Sequence, residues 1–166
     1  MHVMRLFIDT STWLKLDALG TLKLFNAKNL YEWSEVFITH QVDEELHHFK
    51  NKSIDRTRTS ILPIKNKNIY DDAIAVGFDP ADSSIISHGE PDSPNTLLIS
   101  EDRPLLKYTK MYRFYIMQLV DLFQVFTRGG RISSNELYQL ARDMQRLRNI
   151  TKKKQNEIKD WLKEPV

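Results

Sequence analysis

The sequence predicts an α/β domain with a mainly parallel sheet. Three observations point there: short apolar runs of strand length recur between residues 4 and 117, stretches of helical periodicity separate them, and two of the runs stop at or just before an aspartate that opens a helix. Residues 4–8 (MRLFI) form the first strand. Residues 12–19 carry a helical pattern that Gly20 ends, and a further short helix fits before Asn29. The β-branched run at 35–39 (EVFIT) is the second strand, and it leads into a helix over 40–49 whose apolar positions Val42, Leu46 and Phe49 recur at helical spacing. The polar, basic stretch that follows contains a helical patch over 54–62. Asp79 then caps a helix over 80–87 that has Pro80 in its first turn, where proline costs no hydrogen bond. HGEPDSPN is a loop. TLLIS, residues 96–100, is a third strand, a short helix opened by Pro104 runs through Lys107, and RFYIM at 113–117 is a fourth strand.

After Gly129 and Gly130 the pattern changes. Residues 134–162 carry no strand signal and read as one long or broken helix capped by Ser133 or Ser134, with Leu137, Leu140, Met144 and Leu147 spaced for packing. The expected organisation is therefore a domain over residues 1–130 and a basic helical extension over 131–166, packed on it or appended to it.

Composition narrows the function. There is no cysteine among the 166 residues, which removes disulfides, thiolate zinc sites and cysteine nucleophiles and fits a reducing compartment. No apolar run is long enough to cross a bilayer and the first residues lack a signal-peptide pattern, so the expected location is cytoplasmic. Net charge is +2, unevenly placed: residues 131–166 hold 9 Lys+Arg against 5 Asp+Glu, leaving 15 against 17 for the rest. A basic tail on a mildly acidic domain is either a solvated helix face or a site for a polyanion. With five glycines and no G-x-G-x-x-G or G-K-[ST], nothing supports a nucleotide-binding loop.

The acids carry the chemistry. LFIDTSTW stops an apolar strand at Asp9, and such an acid is either a helix cap or a ligand. On the 40–49 helix, Glu44 lies opposite the buried face, whereas Glu45 lies about 70° from its centre. Asp82 falls about 40° from the middle of the face set by Phe78, Ala81, Ile85 and Ile86. Asp102 repeats that relation with Leu105 and Leu106. Each has a capping or dipole explanation by itself. Together, Asp9 and Asp102 stand beyond the carboxyl ends of strands, where open α/β sheets form their crevices, and Glu45 and Asp82 turn toward the sheet from helices. Four converging carboxylates repel unless cations lie between them, and oxygen-only ligands suit Mg²⁺ or Mn²⁺.

The order strand–Asp9 with Ser11 behind it, V-x-x-E-L at 42–46, A-D-x-x-I-I at 81–86 and L-L-I-S-x-D-R at 97–103 resembles the PIN domain, nearest to its toxin-type ribonucleases, over about residues 4–127. The resemblance implies a three-layer α/β/α fold and Mg²⁺- or Mn²⁺-dependent cleavage of RNA. It places Asp9, Glu45, Asp82 and Asp102 as the acidic quartet, with Ser11 as the hydroxyl that assists the site and Ser100 where the family usually has Thr. It also implies an antitoxin partner and a homodimer, with which apolar positions near Leu16, Leu19 and Leu22 are compatible. The chain departs from the pattern at His88 and Gly89, in the segment 51–68, and in its longer basic tail.

Phosphate contacts are expected from Arg103, Lys107, Lys110 and Arg113 after Asp102, and from Lys50, Lys52, Arg56 and Arg58 on a second rim. Other readings fit less well. A haloacid-dehalogenase-type phosphatase needs an acid where Ser11 stands. His40, Glu44 and His47 share a helix face and could hold zinc, but that face is opposite the core and HExxH is absent. The three tryptophans and MYRFYIM read as packing and not as base-stacking platforms. The non-enzyme alternative is an inactive RNA-binding or protein-interaction module of the same fold.

Overall fold

The structure is a computed structural model, and it describes residues 3–164. Five strands form one all-parallel sheet: β1 (Met4–Ile8), β2 (Ser34–Thr39), β3 (Thr59–Leu62), β4 (Thr96–Ile99) and β5 (Tyr115–Met117). Their spatial order is β3-β2-β1-β4-β5. The three inner strands supply the buried apolar side chains Leu6, Phe7, Ile8, Val36, Ile38, Leu97, Leu98 and Ile99, because helices cover both faces of the sheet. The chain leaves β1 toward β2 and β3, then crosses back to the other side of β1 to lay down β4 and β5. Right-handed crossovers therefore put the helices of the two directions on opposite faces, which makes three layers.

The helices are α1 (Thr10–Thr21), α2 (Lys28–Trp33), α3 (His40–Phe49), α4 (Lys67–Val76), α5 (Pro80–Ile86), α6 (Arg103–Met111), α7 (Leu119–Arg128), α8 (Ser134–Arg146) and α9 (Lys152–Leu162). On one face Phe7 stacks between Phe37 and His88, at 5.5 and 4.8 Å between ring centroids. Elsewhere Phe25 and Trp33 pack against Phe123 and Phe126 of α7. Leu137, Leu140, Ala141 and Met144 of α8 and Ile158 of α9 belong to the same buried core, so the C-terminal helices are packed on the sheet domain and do not hang from it.

Several local expectations need correction. Residues 59–62 are an edge strand and not a helix; two of the four side chains are exposed, so the segment has no apolar run to announce it. Neither α4 nor α7 is among the elements expected from the sequence. α1 begins two residues early and runs through Gly20. α2 (Lys28–Trp33) runs through Asn29 and does not end before it. Phe49 and Leu147 are exposed, at 56% and 44%, because each sits at the last turn of its helix, beyond the layer it would pack on. Leu16 and Leu19 are buried under the sheet and offer no face to a partner; Leu22 is exposed. The 134–162 helix is broken in two at 147–151, and Ser133 caps its first half in a capping box with Glu136. No helix among the described residues is long and apolar enough to cross a membrane.

Candidate functional site

β1 and β4 are neighbours whose onward connections run in opposite directions, and the gap beyond their carboxyl ends is the topological switch point of the sheet. Asp9 follows β1 there, and Ser100 to Asp102 follow β4. Asp9 is only 2% exposed. Its Oδ1 accepts from the Thr12 backbone N–H at 2.9 Å and from the Ser11 hydroxyl at 3.3 Å, and its Oδ2 accepts a short hydrogen bond from the Ser100 hydroxyl. Ser100 in turn accepts from the Asp102 backbone N–H at 3.0 Å. One hydroxyl thus ties the end of β1 to the turn after β4. Asp9 caps α1 and faces the switch point at once, so the capping and ligand readings are not exclusive.

Asp102 differs, since it occupies the N-cap position of α6 without giving its side chain to a cap hydrogen bond. Burial raises its proton affinity, and the charges of Asp9 and Asp79 add to the rise. Asp82 is the most perturbed: burial, followed by the charges of Asp79, Asp9, Asp102 and Glu45, pushes its pKa to about 7. Glu45 is raised by burial and then by Asp79, with the Thr10 hydroxyl partly opposing this, although that hydroxyl is buried without a hydrogen bond of good geometry. The quartet therefore shares one field, and Glu44, by contrast, is exposed on the far side of α3.

Asp79 is the residue sequence reasoning missed. It was assigned as the cap of α5, and its side chain does accept the Asp82 N–H at 2.8 Å, but its charge also acts on all three raised acids. Glu101 is a second addition: burial raises its pKa, its Oε1 accepts from Leu119 N–H at 2.8 Å, and its Oε2 is buried without a partner. None of Asp9, Glu45, Asp79, Asp82 and Asp102 forms an ion pair among the described residues. Carboxylates that raise one another in this way need protons or a cation. Their all-oxygen donor set fits a hard divalent ion. Among the described residues, no three Asp, Glu or His side chains are already drawn into metal-holding geometry, and Asp9 accepts three hydrogen bonds from protein donors, two on Oδ1 and one on Oδ2.

The basic residues scatter. Arg103 opens α6 beside Asp102, but each later residue lies about 1.5 Å further along the helix axis, so Lys107 and Lys110 recede from the crevice. Arg113 lies before the amino end of β5, at the end of the sheet away from the crevice, and pairs with Asp92 at 3.3 Å. Arg56 is paired with Asp43, and the Arg58 guanidinium lies 5.3 Å over the Tyr31 ring and donates to its carbonyl. Lys50 and Lys52 follow the far end of α3. Lys52 and Arg58 line an open groove of about 920 Å³ beside α1 and α2 that contains none of the quartet. His47 turns to Asp43 at 3.6 Å, and His40 and Glu44 remain exposed.

Comparison of the chain with protein-family models, with curated proteins and with solved structures found no match.

Proposed function

We propose that this protein is a Mg²⁺- or Mn²⁺-dependent endoribonuclease of PIN type, with its site at the switch point of the sheet. The observation that carries the reading is the acidic field: Asp9, Glu45, Asp82 and Asp102 stand in the order of the PIN motifs, and burial and neighbouring carboxylates raise the last three, none of which forms an ion pair among the described residues. An ion held by Asp9, Asp82 and Asp102, with Glu45 and Asp79 alongside, would supply an activated water and neutralise charge on a phosphodiester.

The chain's own groups do the positioning. Ser100 and Ser11 hold the Asp9 carboxylate in place, and Ser100 also fixes the backbone that presents Asp102. Asp82, with its pKa pushed to about 7, is partly protonated near neutral pH and would give up that proton to serve as a further ligand if a divalent ion were bound. The toxin role and the antitoxin partner belong to this reading only through the family resemblance.

The test is cleavage of labelled single-stranded RNA by the purified chain in Mn²⁺, Mg²⁺ or EDTA. Cleavage is expected with either metal and not in EDTA, and Asp9→Asn and Asp102→Asn should abolish it while leaving the fold intact. Undiminished cleavage by both variants refutes the assignment. A second reading, an inactive module that binds RNA or protein, is favoured by one observation: no three acids are drawn together as ligands. Absence of metal-dependent turnover in the wild type would establish it.

A further inference from the structure

Beside the acidic crevice lies an open groove of about 720 Å³ between the start of α6, the turn into α7 and the α8–α9 turn. Its cationic lining is Lys15, Arg103, Arg148, Lys153 and Lys154, against the carboxylates Glu101 and Glu157. Glu101 and Arg103 flank Asp102 in sequence, so the groove adjoins the turn that carries Asp102, although none of the quartet lines it. Lys154 is taken by Asp121 at 2.7 Å, a bond that straps α9 to α7. Lys15, Arg103, Arg148 and Lys153 make no ion pair among the described residues; the Lys15 charge acts on Glu101, and against Glu101 and Glu157 the four leave an excess of positive charge in the groove.

The turn that presents Arg148 and Lys153 is rigid. Arg148 sits in the left-handed region at φ 60, its N–H bonds to Gln145 O at 3.0 Å, and Asn149 N–H bonds to Met144 O at 2.7 Å. Ile150, 7% exposed, anchors the turn in the core. A non-glycine residue held at positive φ is strained and persists only where its surroundings fix it. Among the described residues no aromatic side chain lines the groove, so it offers no stacking platform for bases; its other polar lining groups are the amides of Gln118, Gln145 and Asn149 and the Thr151 hydroxyl. A concavity of this size takes roughly one or two nucleotides at a time.

We propose that the C-terminal helices complete a phosphate-binding groove that tracks the backbone of single-stranded RNA past Asp102, with Arg103, Arg148, Lys153 and Lys15 as the contacts. The inference deepens the ribonuclease reading and rests on it for the identity of the polyanion. It gives the basic tail a job at the site: the extension supplies the charge that the α6 residues beyond Arg103, running away from the crevice, do not.

The test is fluorescence anisotropy of a labelled oligouridylate RNA with the full chain in EDTA, over a series of salt concentrations. Arg148→Gln with Lys153→Gln should bind on the order of 25-fold more weakly at 0.1 M salt, with the log–log salt slope reduced by about 1.4, since each phosphate contact on a single strand contributes about 0.7. Lys23→Gln with Lys28→Gln, in the larger groove, should change neither. Wild-type affinity and slope in the Arg148/Lys153 variant, no RNA binding by the wild type, or equally effective competition by duplex RNA would each overturn the proposal. The two readings fail separately. Weakened binding in that variant, with no metal-dependent cleavage by the wild type, leaves the groove standing and removes the nuclease. Unchanged binding with cleavage intact does the reverse.

Discussion

Replacing Asp82 by Asn should stabilise the metal-free protein at alkaline pH. The Asp82 carboxyl is pushed from 3.8 to about 7 by burial and by Asp79, Asp9, Asp102 and Glu45. Below pH 4 the folded and unfolded chains both carry its proton. Between pH 4 and 7 the folded chain keeps a proton that the unfolded chain has released, so stability falls as pH rises, and the loss is complete above 7. At about 1.4 kcal/mol per tenfold change in proton affinity the full effect is about 4 kcal/mol. Solvent screening of a side chain that is only partly buried reduces this to about 2 kcal/mol. For a chain of this size that corresponds to about 6 °C in Tm. Thermal unfolding in EDTA should therefore show Asp82→Asn melting about 6 °C above the wild type at pH 8, with the two curves converging near pH 4. Equal or lower Tm for the variant at pH 8 would refute the claim that uncompensated charge is stored at this position.

Other outcomes follow from the same geometry. Saturating Mn²⁺ at pH 8 should raise the wild-type Tm and raise that of Asp82→Asn far less, because a ligand stabilises only the state that binds it; equal gains would contradict a role for Asp82 in holding the ion. Ser100→Ala removes the hydroxyl that holds the buried Asp9 Oδ2 and should cost about 1.5–3 kcal/mol in urea unfolding; an unchanged midpoint would show that water replaces it. Gly89→Ala would place a Cβ 2.2 Å from the buried Phe114 ring, and the resulting overpacking should cost about 1–3 kcal/mol by the same measurement. His88 is buried against Phe7 with its Nε2 on the Pro63 carbonyl at 2.7 Å, and burial lowers its pKa. The stability this confers is present above pH 6.5 and is lost as pH falls through the lower folded value, so the advantage of wild type over His88→Gln should shrink between pH 7 and 5; a constant difference would contradict it.

What the sequence revealed and what it hid have physical causes. β1 and β4 are buried along most of their length and form apolar runs that can be read directly, and β2 keeps a VFI run despite its exposed Glu35. β3 is an edge strand with polar, exposed positions, and its TSIL looks no more like a strand than like a helix. α4 buries only Ala73 and leaves Ile74 and Val76 exposed, so its apolar residues do not mark one core face, although its ends were marked: Asn66 caps it through Ile69 N–H, and Gly77 closes it at φ 118. α7 is a different miss, because Leu119, Val120, Leu122, Phe123 and Phe126 show clear helical spacing. Glu45, Asp82 and Asp102 were legible because an acid at the margin of an apolar face breaks the pattern. Asp79 was hidden behind its capping role. The groove could not be read at all, since Lys15, Arg103 and Arg148 are distant in sequence and meet only through the packing of α8 and α9.

The account stands on a divalent ion between the carboxyl ends of β1 and β4. Anomalous diffraction from a crystal soaked in Mn²⁺ tests this directly. The expected result is a peak about 2.1 Å from carboxylate oxygens of at least two of Asp9, Asp82 and Asp102. A crystal with no peak there, at a Mn²⁺ concentration that saturates any RNA cleavage, or with its peak at His40, Glu44 and His47 instead, would contradict it.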